Sequence, residues 1–181
     1  MIRLASGSVT RAKLLREAGI EFIQESVEFD EDSIIASSPK NFVYQATLGK
    51  YEINLKTFGY DDYPLLVADT VVTAKNQILR KARCVDDARN ILMTQSGNIT
   101  SIVTCMIYQS KKQKIIDISK TDYLFEKFDL EDLEKFLDSG EWRGKAGACM
   151  VEGFCKSYIK EVKGYESTAM GLNTDLLKEF I

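Results

Sequence analysis

YPLLVADTVVTA, residues 63–74, is a nearly continuous apolar run rich in β-branched side chains. It lacks the strict polar alternation of a half-exposed strand, so neither face is suited to water. Such a strand is covered on both sides, as at the centre of a sheet with helices on its faces. One residue breaks the run. Asp69 is a carboxylate among Ala68, Val71 and Val72, and burying it unpaired is costly. Carboxylates at strand ends in α/β sheets commonly face the ligand crevice, whereas the plainer alternative is an aspartate bonded to a nearby helix N-terminus. The apolar surroundings favour the functional reading. One stretch therefore predicts the fold class and a first chemical residue.

Working outward, strands and helices alternate. Residues Ile2–Ala5 predict a short buried strand. Ser8 caps a helix with Ala12, Leu14, Leu15 and Ala18 on its apolar side, and Gly19 stops it. Ile20–Phe29 predicts a strand and Asp30–Ser38 a loop. Pro39 opens a helix to about Thr57 that carries Lys50 near its end. After the central run, KNQIL (75–79) predicts a turn with a return strand, and Val85–Gly97 a helix. Ile99–Gln109 and Lys114–Phe128 predict an antiparallel pair joined by the exposed basic turn SKKQK. Asp129 caps a helix closed by Gly140, Ser157–Tyr165 predicts a strand, and Asp175–Phe180 a last short helix. The order predicts an α/β domain spanning residues 1–181: a mixed twisted sheet with helices on its faces.

The chain has 181 residues, 45% hydrophobic and 28% charged, with a net charge of -3. That is ordinary for a globular protein, and nothing demands the basic face of a nucleic-acid binder. No apolar run is long enough to span a membrane and no hydrophobic stretch precedes Ser6, so the expected location is cytoplasmic. The four cysteines form no CxxC pair, and reduced thiols are expected. The chain contains no histidine, which removes Ser-His-Asp, Cys-His and HExxH chemistry. Catalysis must use carboxylates, lysines, hydroxyls or a metal on oxygen ligands.

Further candidates follow from that restriction. LASGSVTRAKLL (4–15) places Ser6, Gly7 and Ser8 at a strand-to-helix corner, where free N–H groups and the helix dipole favour an anion. Arg11, one turn in, can fold back to the same spot. Alone, the corner reads more simply as a capped helix with a solvated arginine. The loop Asp30, Glu31, Asp32 offers hard oxygen ligands suited to Mg²⁺ or Mn²⁺, but matters only if folding brings it beside Asp69. Lys50 and Lys81 could neutralise phosphate, though surface positions are the plainer reading of both. The glycine-rich GEWRGKAGACMVEG (140–153), with the chain's single tryptophan, could enclose a ligand or serve as a structural turn.

Together, LASGSVTRAKLL, FDED, ADTVV, GEWRGKAGACMVEG and VKGYESTAMGL resemble, in order and spacing, the Maf family of nucleoside triphosphate pyrophosphatases. The resemblance covers nearly the whole chain. It implies a central cleft, possible division into two lobes, a fold similar to inosine triphosphate pyrophosphatases, and a homodimer. By position it makes Asp69 the catalytic carboxylate and Ser6, Ser8 and Arg11 the phosphate corner. Lys50 and Lys81 become substrate-binding lysines, and Glu31 joins Asp69 as a ligand of a divalent cation, Mg²⁺ or Mn²⁺. The implied reaction, in nucleotide metabolism, cleaves between the α and β phosphates to give a monophosphate and pyrophosphate. Substrates in the family are pyrimidine nucleotides such as dTTP and UTP, or modified nucleotides. Three positions bear on base preference: Thr10 stands where the family has an arginine, Thr70 matches dTTP and UTP members, and Glu152 stands where those members have glutamine. Thr100 occupies the place of a common histidine. The rival expectation is a non-catalytic nucleotide-binding regulator of septum formation. A nucleic-acid partner is not expected.

Overall fold

The computed structural model describes residues 1–31, 34–149, 151 and 153–181. In chain order its elements are β1 (Ile2–Leu4), α1 (Val9–Glu17), β2 (Phe22–Gln24), α2 (Pro39–Phe58), β3 (Leu65–Ala74), β4 (Gln77–Ile78) and α3 (Val85–Gln95). They continue with β5 (Ile99–Gln109), β6 (Lys114–Phe125), α4 (Leu130–Ser139), β7 (Ile159–Lys163), α5 (Glu166–Ala169) and α6 (Thr174–Leu177). The seven strands form one sheet in the order β2-β1-β3-β5-β6-β7, with β4 paired to β3. β1 runs parallel to β2 and β3, while the β3–β4 and β6–β7 pairs are antiparallel. The sheet is therefore mixed and flanked by helices, the α/β class expected. Lys75 and Asn76 both have positive φ, 50° and 61°, as a tight two-residue hairpin between β3 and β4 requires.

The chain divides into two compact units. The first comprises Met1–Thr70, Val103–Lys120 and Tyr165–Ile181; the second comprises Val71–Ile102 and Thr121–Gly164. In the first unit the continuous apolar run of β3 is covered on both faces. Leu66 and Ala68 pack with Ala12, Leu14 and Leu15 of α1, Met106 and Tyr108 of β5, and Leu172 and Leu177. Leu65 and Val67 pack the opposite way, with Ile107 and with Tyr51, Leu48 and Leu55 of α2. Leu4, Leu15, Leu65, Leu66 and Val67 are fully buried. Burial of each such side chain is worth about 1.5–3 kcal/mol, which makes this two-sided burial the main support of the sheet.

In the second unit an aromatic group takes the same role. The rings of Phe136 and Phe154 stack with centroids 4.7 Å apart, and Phe128 meets Phe154 and Phe125 edge-on at 5.2 and 5.6 Å. Trp142 is buried, and its indole N–H donates to the Leu137 carbonyl at 3.0 Å, so it closes the end of α4 instead of facing a ligand.

Several sequence expectations change. Only Phe22–Gln24 of the expected strand 20–29 pairs, because the chain beyond it is drawn onto α2: the Val27 N–H donates to the Asn54 side chain at 3.0 Å. β6 stops at Phe125, where the Glu126 N–H turns to the Tyr158 carbonyl and Phe128 enters the aromatic group. The strand expected from Ser157 begins at Ile159, preceded by a 3₁₀ turn over Phe154–Tyr158. α5 was not anticipated, since four residues are too few for a periodic signal. Lys50 lies well inside α2, about two turns before its end. Cys149 and Cys155 form a disulfide, with Cα atoms 6.5 Å apart, so the expectation of four reduced thiols holds only for Cys84 and Cys105. Positive φ at Gly147 and Ala148 turns the chain just before Cys149, a local geometry invisible in cysteine spacing alone.

Candidate active site

Strand geometry sets the site. Successive side chains of β3 point to opposite faces. Leu65, Val67 and Asp69 share the face toward α2; Leu66, Ala68 and Thr70 share the face toward α1. β1 pairs with β3 only as far as Leu4 opposite Leu66, so residues 69 and 70 run on past the carboxyl end of β1, where the serine corner begins. That is where α/β sheets place their ligands.

On the α2 face, Asp69 is 6% exposed. Its Oδ1 lies 2.5 Å from Lys50 Nζ, and Lys50 also pairs with Glu31. Its Oδ2 is buried with no hydrogen-bond partner among the described residues. Burial pushes the Asp69 pKa above the usual carboxylate range; Lys50 opposes the shift and Glu31 adds to it. The position of Glu31 has a clear origin. Asn54, buried in α2, accepts from Val27 N–H at 3.0 Å and donates to the Lys50 carbonyl at 2.7 Å. Phe29 packs where Gly49 lacks a side chain: a Cβ there would sit 2.2 Å from the ring. These two contacts hold the chain leading to Glu31 against the helix that carries Lys50.

On the α1 face, Ser8 caps the helix, its Oγ accepting from Arg11 N–H at 3.3 Å. Ser6 Oγ accepts from Ser8 N–H at 3.2 Å and from the Arg11 guanidinium at 3.0 Å. With both lone pairs engaged, the Ser6 hydroxyl proton remains to be donated. The N–H groups of Val9 and Thr10 precede the first intrahelical bond, from Ala12 N–H to the Ser8 carbonyl, and so add donors at this corner. Arg11 does fold back, as its spacing predicts. Its Nε donates to the Gly171 carbonyl at 2.8 Å and its other terminal nitrogen to Thr70 Oγ1 at 3.1 Å. Burial lowers the Arg11 pKa, opposed by Asp69 and Glu31. Arg11 thus ties the serine corner to the residue that follows Asp69.

The structure brings together Ser6, Ser8, Arg11, Glu31, Lys50, Asp69 and Thr70, all in the first unit, with Thr10 half-buried in the first turn of α1. Lys81 belongs to the second unit, where it is exposed and bridges to Ala146. Glu152 and Asp32 lie outside the described residues. Asp30 is exposed. Sequence reasoning did not single out Gly49, Asn54, Thr104, Thr168 or Gly171. Thr168 and Gly171 both lie in the block VKGYESTAMGL, and the plainer signal is the glycine, Gly171. Its φ is +103°, and a Cβ there would lie 3.3 Å from Thr70 Oγ1 and 3.5 Å from Arg11 Nε.

Glu31 and Asp69 converge on one cation, the Lys50 ammonium, and Asp69 Oδ2 is a buried acceptor unused among the described residues. Two carboxylates meeting at one point fit the oxygen preference of Mg²⁺ or Mn²⁺. On the other face of β3 stand the Arg11 guanidinium and a cluster of N–H and O–H donors, which suit phosphate. Such an arrangement can bind a polyphosphate and act on it with a carboxylate.

Comparison with known proteins agrees with this chemistry. Residues 1–181 match the family described as Maf-like protein. A nucleoside triphosphate pyrophosphatase of Nitratiruptor sp. is 55% identical over 181 residues, covering 99% of this chain and 97% of the relative. Proteins of the same name from Helicobacter pylori and Campylobacter jejuni are 38% and 35% identical, covering 95% and 100% of this chain and 90% and 100% of the relatives.

Proposed function

Given that this chain belongs to the Maf family, we propose that it hydrolyses nucleoside triphosphates between the α and β phosphates, releasing a nucleoside monophosphate and pyrophosphate. It is an enzyme, a hydrolase of acid anhydrides, in keeping with its relatives' names. The observation that carries the reading is the convergence of Glu31 and Asp69 on Lys50, with a buried carboxylate oxygen left to act.

Asp69 orients a water and takes its proton as the oxygen attacks the α phosphorus. The new P–O bond forms as the bond to the bridging α–β oxygen breaks, and pyrophosphate leaves. Arg11, Lys50, the Ser6 hydroxyl and the free N–H groups of the corner stabilise charge growing toward the leaving group. Lys81 is a further phosphate ligand by family position. Glu31 and Asp69 would hold Mg²⁺ or Mn²⁺, which supplies charge neutralisation at the phosphates. Substrates are pyrimidine nucleotides of the dTTP and UTP kind or modified nucleotides, with Thr10, Thr70 and Glu152 at the positions that tune base choice. The same reading makes the protein a cytoplasmic homodimer.

The test is product analysis across a panel of normal and modified nucleoside triphosphates with Mg²⁺ or Mn²⁺. Monophosphate plus pyrophosphate is expected. Diphosphate plus inorganic phosphate would overturn the assignment of the bond, and no turnover of any nucleotide would favour a binding regulator of septum formation.

A further inference from the structure

Thr104 sits on β5 beside Thr70, is 1% exposed, and has no part in the chemistry described so far. Its Oγ1 lies 2.8 Å from the Thr168 carbonyl and 3.0 Å from Thr70 Oγ1. A carbonyl oxygen only accepts, so the single Thr104 proton goes to Thr168. The contact between the two hydroxyls then has one direction: Thr70 donates and Thr104 accepts. With its proton engaged, Thr70 meets Arg11 as an acceptor, and the guanidinium donates to it at 3.1 Å. The Gly171 N–H donates to the same Thr168 carbonyl at 3.1 Å, and the Gly171 carbonyl accepts from Arg11 Nε at 2.8 Å. Two routes thus leave the guanidinium and end on one buried turn.

The result concerns the donors of Arg11. A guanidinium has five N–H groups in a fixed plane. Ser6 Oγ, Thr70 Oγ1 and the Gly171 carbonyl take one from each nitrogen. Among the described residues one N–H on each terminal nitrogen remains, and both are donors suited to phosphate oxygens. Were Thr70 free to turn its proton toward Arg11, the plane would lose an acceptor and meet a like partial charge. We propose that Thr104 is a positioning residue for phosphate binding: by holding the Thr70 hydroxyl in its accepting orientation, it aims the two remaining Arg11 donors at the triphosphate. This rests on the reading of Arg11 as a phosphate ligand.

The test compares Thr104→Val, which keeps the branched shape without a hydroxyl, with Thr104→Ser, which keeps the hydroxyl. The readouts are the dissociation constant of an α,β-methylene nucleoside triphosphate with Mg²⁺, by calorimetry, and the split between KM and kcat for the hydrolysed nucleotide. Thr104→Val is expected to weaken binding and raise KM by about tenfold, with kcat changed less than about threefold. Thr104→Ser should restore binding to within about twofold, and in a Thr70→Val background Thr104→Val should add no more than that. Unchanged binding in Thr104→Val, no rescue by serine, or a full loss on top of Thr70→Val would overturn the proposal. If the valine variant does not fold, Thr104→Cys, a weak donor and acceptor, replaces it with the same expectations. Analogue binding that obeys this pattern without turnover would retain the positioning role and sink the proposed reaction. An analogue that does not bind the wild-type protein would overturn both.

Discussion

Asp69 and Thr70 are consecutive on one strand, yet they belong to two different kinds of site. Asp69 faces α2 and ion-pairs with Lys50, which also pairs with Glu31, and it has a buried oxygen unmatched among the described residues. Thr70 faces α1 and lies in a hydrogen-bonded network, Arg11 to Thr70 to Thr104 to the Thr168 carbonyl, in which every direction is determined. The first arrangement leaves an acceptor open and holds its carboxylate against the pull of burial, the mark of a group kept for reaction. The second satisfies its hydroxyls and holds still, the mark of a group kept for binding. Substitutions on the two faces should therefore fail in different ways: turnover and metal dependence on the Asp69 face, affinity on the Thr70 face.

The largest effect is expected for Asp69→Asn. If Asp69 supplies the base, kcat should fall by about 10³, within the usual contribution of a general base. The fold should survive, with a melting temperature at neutral pH no lower than that of the wild type. The sign follows from the raised pKa. The folded protein holds the Asp69 proton more readily than the unfolded chain, so ionising Asp69 lowers stability as pH rises from the unfolded carboxylate value to the folded one. Asparagine carries no such cost. A kcat within tenfold of wild type, or a variant that melts far below it, would erase the contrast between the two faces.

A second substitution tests how Glu31 is placed. Gly49→Ala puts a Cβ 2.2 Å from the Phe29 ring, which must move and carry the chain toward Glu31 with it. Alanine is a better helix former than glycine by about 1 kcal/mol, so α2 itself gains. The expected outcome is a rise of about tenfold in the Mg²⁺ concentration needed for half-maximal activity, with a melting temperature within a few degrees of wild type. Nucleotide affinity at saturating Mg²⁺ should stay near normal, because the α1 face is untouched. A metal titration curve that overlays the wild type would show that Phe29 does not govern Glu31.

How much of this was legible follows the range of the interactions. The central strand could be read from residues 63–74 alone, because two-sided burial is written in local composition. Asp69 could be read as an exception to that composition. The corner could be read because a cap, a glycine and an arginine one helical turn away are close in sequence. Gly49 and Asn54 could not, since their meaning depends on Phe29 and Val27 arriving from another segment. Thr104 was hidden more deeply: a threonine in a β-rich run is unremarkable, and only its spatial neighbours Thr70 and Thr168 give its proton a direction. The strand expected over 20–29 failed for the same reason, since contacts with α2 took the chain after Gln24 away from the sheet.

The smallest effect is expected where the α2 face carries no chemistry. Thr104 and Cys105 repeat on β5 the division seen on β3, with Thr104 on the Thr70 side and the Cys105 carbonyl meeting Thr47 of α2. Cys105 is fully buried, and desolvation pushes its thiol up to about 11, opposed by a hydrogen bond with Thr47. At pH 8 only about one such thiol in a thousand is ionised, and the thiolate is the nucleophile. Cys84 is exposed at the start of α3. A thiol reagent at pH 8 should therefore modify Cys84 promptly and leave Cys105 untouched until the protein unfolds, with activity unchanged by the first event; mass spectrometry of the labelled peptides reads both. The folded state keeps the Cys105 proton longer than the unfolded chain, so its contribution to stability declines as pH rises from about 8.5 toward about 11. Labelling of Cys105 at the rate of Cys84 would mean that the α2 face opens in the native state, and a face that opens could not keep Asp69 paired with Lys50.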